Sequence, residues 1–290
     1  MKHYIVIPVF NDWKSLKKLI SNLNFILKSN NKFQNSVIII NDNSTEKINI
    51  SLKKFRNFKQ IKIINLKENL GSQKAIAVGL KFLKKIKGDC IITVMDGDGE
   101  DNPKQVRQML EMANNNPNFV ITSNRKKRQE PFLIVFLYKL HLFITFIFTL
   151  KWISFGNFTS FHKNNLDSLL SNNKSWYAHS SSVKKNCKII SQYAERKKRY
   201  FGKSKLGLTS LIEHSLRVNA VFLVNIFFSS IFYLILINYF LFFSKMLKTI
   251  LSVIVITYLL SVFIIALKHW VFDLSKILRY IKNVSLIKAS

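Results

Sequence analysis

Residues Cys90 to Pro103 read CIITVMDGDGEDNP, and this stretch decides the fold. Its first half is an apolar, β-branched run of the kind that forms a buried strand. Its second half gathers four carboxylates, Asp96, Asp98, Glu100 and Asp101, within six residues. The chain of 290 residues holds only 15 acidic residues against 45 basic ones, a formal charge of +30. Carboxylates that close repel each other unless a cation sits among them. The stretch therefore reads as a strand that ends in a cation-dependent site.

Working outward, similar apolar runs recur on both sides: YIVIPVF, SVIIIND and IKIINL before it, FVITS after it. Helical patterns lie between them, WKSLKKLISNLNFILKS, GSQKAIAVGLKFLKKI and PKQVRQMLEMANNN. Strand and helix in alternation predict a parallel sheet covered on both faces, an α/β, Rossmann-like domain. Ligands of such sheets bind at the carboxyl ends of the strands. The polar clusters fall there: Asn11-Asp12, Asn41-Asp42-Asn43-Ser44, and Asp96 to Asp101.

The end of the chain has another character. Val218 to Phe243 and Ile250 to Leu267 contain no charged residue, and each is long enough to cross a hydrocarbon core of roughly 30 Å. The loop between them, SKMLKT, is short, whereas Arg217, Lys268, Lys276, Arg279 and Lys282 flank the pair. The positive-inside rule then puts both termini in the cytoplasm, in a multi-pass protein of the cytoplasmic membrane. Phe132 to Leu150 is apolar enough for a third span, but Lys139 and His141 lie at its centre, where charge is costly. A helix along the interface is the preferred reading. The expected division is a nucleotide-sugar core over 1–130, interfacial helices and a phosphate-clamp segment over 131–217, spans over 218–243 and 250–267, and a basic tail over 268–290. Two distant cysteines, Cys90 and Cys187, argue against a disulfide framework, and MKHYIVIPVF does not read as a cleavable signal peptide.

Seven motifs in order resemble glycosyltransferase family 2, in particular its dolichyl-phosphate mannosyltransferase and polyprenyl-phosphate glycosyltransferase branch. They are IPVFND, INDNS, NLGSQKAIAVGL, MDGDGEDNP, SNRKKR, ISFGNFTSFHK and ERKKRYFGKSKLGLTSL. The resemblance runs from Ile5 to about Leu267. It implies a GT-A catalytic domain followed by two membrane helices, and a DxD motif that works with Mg²⁺ or Mn²⁺. Hard cations of this kind take one or two carboxylates and complete their shell with water and phosphate oxygens.

The same resemblance implies roles. Pro8 and Asn11 shape the loop for the base, and Asp42 resembles the acid that contacts uracil or ribose. Gly71 admits a close approach of backbone, and Lys74 reaches phosphate. Asp96 contacts ribose and metal, Asp98 is the main metal ligand, and Glu100, which stands where the family has Gln, is a further metal ligand that binds the cation more tightly or else faces solvent. Asn102 replaces a Pro, and Gly97 and Gly99 loosen a loop that is usually stiffer. Only eight of the basic residues are Arg, and four form pairs: Arg125 with Arg128, and Arg196 with Arg199. Arg binds phosphate through a planar fork, which Lys cannot do. Arg199, Ser204 and Lys205 match the family's phosphate clamp, while Arg125 and Arg128 lie in its basic segment. His179 reads as a structural histidine at the membrane interface.

The activity implied is inverting transfer of a sugar from a UDP- or GDP-linked donor to a polyprenyl phosphate (undecaprenyl or dolichyl) on the cytoplasmic face. A phosphate acceptor is already an anionic nucleophile, and no Ser-His-Asp arrangement is visible to activate a hydroxyl. The expected partners are the nucleotide sugar, the lipid phosphate and the membrane, with no nucleic acid; a homo-oligomer is compatible with the sequence. Two alternatives stand beside this reading. A processive polysaccharide synthase would carry Gln-x-x-Arg-Trp near the membrane, and that string does not occur. An inactive membrane adaptor would explain the basic surface but not Asp96, Asp98 and the clamp residues.

Overall fold

The computed structural model describes residues 1–28, 32–46, 55–125, 132–171, 176–202, 207–270 and 272–288. The chain forms two compact units: Met1–Arg128, Phe155–Ser204 and Asp273–Ser290 make the first, Gln129–Ser154 and Lys205–Phe272 the second.

The first unit is built on strands β1 (Lys2–Val9), β2 (Gln34–Asn41), β3 (Gln60–Leu66), β4 (Cys90–Val94), β5 (Phe119–Arg125), β6 (Phe155–His162), β7 (Lys188–Ala194) and β8 (Ile281–Lys288). They form one sheet in the order β7-β5-β6-β4-β1-β2-β3-β8. The strands β3, β2, β1 and β4 are mutually parallel. β1 is buried from His3 to Val9 and β4 throughout, as expected where helices cover both faces. On one face pack α1 (Trp13–Ile26) and α3 (Val106–Asn115). Their residues Leu16, Leu19, Ile20, Leu23, Met109 and Leu110 join Ile5, Ile7, Val37 and Ile39 in the core. The opposite face carries α2 (Ser72–Lys84), where Gly79 lets the helix lie against the sheet: a Cβ there would stand 2.8 Å from Val6 and 3.1 Å from Ile40.

The sheet is mixed, not parallel throughout, which corrects the sequence expectation. β6 runs antiparallel between β4 and β5. β5 leaves the sheet at its carboxyl edge, and the chain comes back at that edge as β6, so β6 has to run the other way. β8 pairs antiparallel with β3. The segment expected as a basic tail over 268–290 therefore contains an edge strand of the sheet.

A buried polar chain crosses four strands. His3 Nδ1 meets Asn35 Oδ1 at 2.8 Å, His3 Nε2 meets Thr93 Oγ1 at 2.9 Å, and Thr93 meets Ser160 Oγ at 3.0 Å. Burial pushes the His3 pKa down to about 4. The neutral ring thus donates to Asn35 and accepts from Thr93.

The second unit contains α4 (Phe132–Thr149), α7 (Leu208–Ala220), α8 (Leu223–Ile235) with a π-helical turn over Leu236–Phe240, and α9 (Lys245–Trp270). Between α4 and α7 in the chain, α5 (Asn165–Leu169) and α6 (His179–Asn186) belong to the first unit. Leu223–Phe240 and Lys245–Trp270 are long and apolar enough to cross a membrane, with mean hydropathies of 1.9 and 2.8 over 18 residues of each. They overlap the expected spans with shifted ends: 218–220 close α7, and α9 extends beyond 250–267 on both sides. Within this unit Tyr233 Oη donates to the Ile147 carbonyl at 2.8 Å, and Ser215 Oγ meets His141 Nδ1 at 2.6 Å.

Candidate functional site

At the carboxyl edge, β1 passes through Pro8 into a turn where Asn11 has φ 48°. An asparagine tolerates this left-handed conformation better than most residues. Its side chain secures the turn after β2: Asn11 Oδ1 accepts from the Thr45 and Glu46 N–H groups at 2.9 and 3.1 Å, and Nδ2 donates to Thr45 Oγ1 at 2.9 Å. Asp42, just beyond β2, is buried. Its two oxygens accept the N–H groups of Leu70 and Gly71, at 2.7 and 2.9 Å, at the start of α2. Burial pushes the Asp42 carboxyl up, and these two bonds together with the Lys74 charge pull it down. Gly71 has φ 82° and open space where a side chain would stand. Lys74 lies over the Trp176 ring, 4.9 Å from its centroid.

The acidic stretch follows β4 on the same edge. Asp101 Oδ2 accepts the Asp96 N–H at 2.9 Å, and Asp98 Oδ1 accepts the Glu100 N–H at 3.0 Å, so the loop folds upon its own carboxylates. The cations are guanidinium groups. Arg199 pairs with Asp12 and, at 3.4 Å, with Asp98, while Arg196 pairs with Glu100. Side chains of Arg199, Asp12 and Asp98 are only 18–19% exposed. Burial pushes Asp98 up, Arg199 and then Arg196 pull it down, and Asp12 raises it again. Burial also lowers the Arg196 pKa, against the pull of Asp98 and Asp96.

Two backbone bonds fasten the arginine segment to this loop, Lys197 N–H to the Glu100 carbonyl at 2.9 Å and Tyr200 N–H to the Asp98 carbonyl at 3.0 Å. Gly99 is required between them. Its φ is 86°, and a Cβ would stand 2.2 Å from the Tyr200 ring. The Tyr200 hydroxyl accepts from Asn22 of α1 at 2.7 Å, which holds the ring in place.

Asp96 is oriented from behind. Asn157 of β6 donates to Asp96 Oδ1 at 3.0 Å, Gln73 of α2 donates to Asn157 Oδ1 at 3.1 Å, and Gln73 Oε1 accepts the His179 N–H at 2.7 Å. His179 itself is buried in the first unit, its Nε2 2.8 Å from Thr159 Oγ1, with its pKa pushed down to about 4 by burial. It is a core residue of the sheet domain.

Of the residues singled out from sequence, Pro8, Asn11, Asp42, Gly71, Lys74, Asp96, Asp98, Glu100 and Arg199 lie along the carboxyl edge of this unit. Arg125 closes β5. Arg128, Ser204 and Lys205 lie outside the described residues. Asp12 enters the sequence reading only within the polar cluster after β1, and Gln73 and Asn157 carry no role in it. Each sits inside a motif quoted above, but no local pattern names its distant partner: Arg199 for Asp12, Asn157 and the His179 N–H for Gln73, Asp96 for Asn157.

Residues 4–169 match the profile of glycosyl transferase family 2. The chain belongs to that family. An uncharacterized glycosyltransferase of Synechocystis sp. is 27% identical over 140 residues, which span 47% of this chain and 42% of the relative. Among solved structures, glucosyl-3-phosphoglycerate synthase of Mycobacterium tuberculosis, in complex with Mn²⁺, UDP and phosphoglyceric acid, has a TM-score of 0.52 at 14% identity. That match covers 77% of this chain and 78% of the other. S. aureus TarS 1–349 gives 0.48 at 15% identity, over 92% and 72%. The synthase shows the shared fold of this family 2 chain, a GT-A-like mixed sheet.

Proposed function

We propose that this family 2 protein is a membrane-bound, inverting glycosyltransferase that moves a sugar from a nucleotide sugar to a polyprenyl phosphate on the cytoplasmic face. The observation that carries the reading is the row formed by Asp42, Asp96, Asp98 and Arg199 along one sheet edge, an arrangement suited to a base, a ribose and a diphosphate. The two long apolar helices support the membrane assignment. The synthase of similar fold was solved with UDP and with Mg²⁺ or Mn²⁺, which supports a nucleotide donor and a divalent cation here.

The residues fit such a cation on conditions. Asp96 and Asp98 offer oxygen ligands only, as Mg²⁺ or Mn²⁺ prefers. Among the described residues no group of three or more His, Cys, Asp or Glu stands ready to hold a metal. The shell would therefore be completed by diphosphate oxygens and water. Glu100, engaged by Arg196, would join only by giving up that pair. A bound cation would supply positive charge to the departing diphosphate.

The chain's own residues do the rest. Asp42, Asn11 and Pro8 receive the base and ribose, and Gly71 and Lys74 border the phosphates. Arg199 exchanges its carboxylate partners for the oxygens of the acceptor phosphate, with Ser204, Lys205, Arg125 and Arg128 as further phosphate ligands. Catalysis is then positioning and charge stabilisation without a strong general base. The test is a panel of UDP- and GDP-sugars with undecaprenyl phosphate and Mn²⁺ in membranes holding the full chain. Metal-dependent formation of one glycosyl lipid is expected. Donor hydrolysis that ignores the lipid, or no turnover with any donor, contradicts the proposal.

A further inference from the structure

Three asparagines occupy one rung of the sheet. Asn41 of β2 stands in register with Asn65 of β3, and Asn65 with Asn283 of β8. Their side chains form a chain with one direction. Asn65 Nδ2 donates to Asn283 Oδ1 at 2.6 Å, and Asn41 Nδ2 donates to Asn65 Oδ1 at 2.8 Å. Asn41 Oδ1 then accepts the Ser44 N–H at 3.0 Å, and Ser44 Oγ accepts the Asn11 N–H at 3.0 Å. Hydrogen bonds thus lead from the last strand of the chain to both turns of the edge where Asp42 lies.

An amide side chain has one accepting and one donating end. The Ser44 N–H can only donate, so Asn41 must turn its oxygen to it, Asn65 its oxygen to Asn41, and Asn283 its oxygen to Asn65. A reversal at any member would set like groups against each other. The turns so held are not relaxed by themselves: Asn11 and Asn43 have φ of 48° and 58°. Left-handed residues other than glycine persist where the surroundings over-determine them. Asp42 lies between Asn41 and Asn43, so the set of this turn adds to the bonds it makes itself, from its N–H to the Val9 carbonyl and from its carboxylate to Leu70 and Gly71.

We propose that Asn283 is a positioning residue for the donor nucleotide, acting through Asn65 and Asn41 on the 41–46 turn. The inference rests on the nucleotide-sugar reading above. It makes the strand that follows α9 in the chain a part of donor recognition, although it lies more than 230 residues from Asp42 in sequence.

The test compares two substitutions in the full-length protein. Asn283→Leu keeps the size but removes the acceptor. Asn283→Asp keeps an acceptor oxygen for Asn65 Nδ2. UDP and GDP binding by calorimetry and donor KM and kcat are measured for each, with melting temperature as a check on folding. Loss of one neutral hydrogen bond corresponds to roughly a 2- to 10-fold change. Asn283→Leu should weaken nucleotide binding and raise the donor KM by that factor at unchanged kcat, and Asn283→Asp should stay within about 2-fold of wild type. A strand that merely holds the fold would lower the melting temperature of both variants and leave the KM-to-kcat split unmoved. If the wild-type protein binds UDP or GDP and Asn283→Leu binds it equally well, or both variants lose equally, the positioning role is overturned. If the wild-type protein binds neither nucleotide, the donor reading fails and this proposal falls with it.

Discussion

The carboxyl edge of the sheet is held together in two different ways. Around β4 the means are charges: Arg199 between Asp12 and Asp98, and Arg196 on Glu100. Around β2 and β3, apart from the Asp42 carboxylate on Leu70 and Gly71, the means are neutral amides and hydroxyls, Asn11, Asn41, Ser44 and Asn65. The two sets behave differently when a ligand arrives. A guanidinium can trade a carboxylate for a phosphate, and a carboxylate a guanidinium for a metal ion, with charge still compensated. An amide chain has no such substitute, and a member removed leaves a donor or acceptor unsatisfied. The charged half is suited to exchange, the amide half to keeping a shape.

The contrast predicts where the protein is most vulnerable. Asp98→Ala should lower lipid-dependent transfer by about 100-fold or more, since loss of even an outer partner of a metal site costs 10- to 100-fold. It should leave the second unit folded, as judged by detergent-solubilised circular dichroism. Near wild-type transfer by a well-folded variant, with Mn²⁺ present, would break the assignment of the charged half.

The buried histidines, outside the Asn11, Asn41, Ser44 and Asn65 set, have their own weak point, acid. Burial pushes the pKa of His3 and of His179 down to about 4, below the usual 6.5. Between these values the unfolded chain binds more protons, so stability is fully present above pH 6.5 and falls as pH drops toward 4. The loss is up to about 3 kcal/mol for each histidine. His3→Gln should start less stable at neutral pH yet show a shallower fall of melting temperature from pH 7 to 5. An equal slope in variant and wild type would remove His3 from the account.

A smaller effect is expected where the two halves join. Asn157→Leu removes the donor on Asp96 and leaves Gln73 without its acceptor, so transfer should drop about 10-fold, a loss of roughly 1.4 kcal/mol. Gln73→Leu combined with it should add little, because both act on one carboxylate. Full additivity in the double mutant would show that the Gln73–Asn157–Asp96 chain is not a unit.

Much of this was legible in the sequence, because β1 to β4 are continuous apolar runs and the polar turns follow them directly. The acidic stretch was legible for the same reason: its residues are local. What could not be read is all that depends on distant pairing. β6 has the sequence FGNFTSFH, without the β-branched run of its neighbours, and becomes a strand because β4 and β5 flank it on both sides. β8 follows the last apolar helix and reads as a basic tail until β3 offers it an edge. Asp12, Gln73, Asn157 and Asn283 acquire their partners from segments 61 to 218 residues away, so no spacing rule points to them.

The central claim is that Arg199 exchanges carboxylates for the acceptor phosphate. Its guanidinium reaches Asp12, Asp98 and the Phe201 carbonyl, the last at 3.0 Å, through three different nitrogens. A lysine ammonium cannot span these directions with a planar fork. The decisive measurement is transfer kinetics of Arg199→Ala and Arg199→Lys in neutral and anionic nanodiscs. Both variants should lose about 10- to 100-fold in kcat/KM toward the polyprenyl phosphate, the equivalent of roughly 1.5–3 kcal/mol, with little change for the donor. Full activity of Arg199→Lys in neutral lipid would contradict the claim.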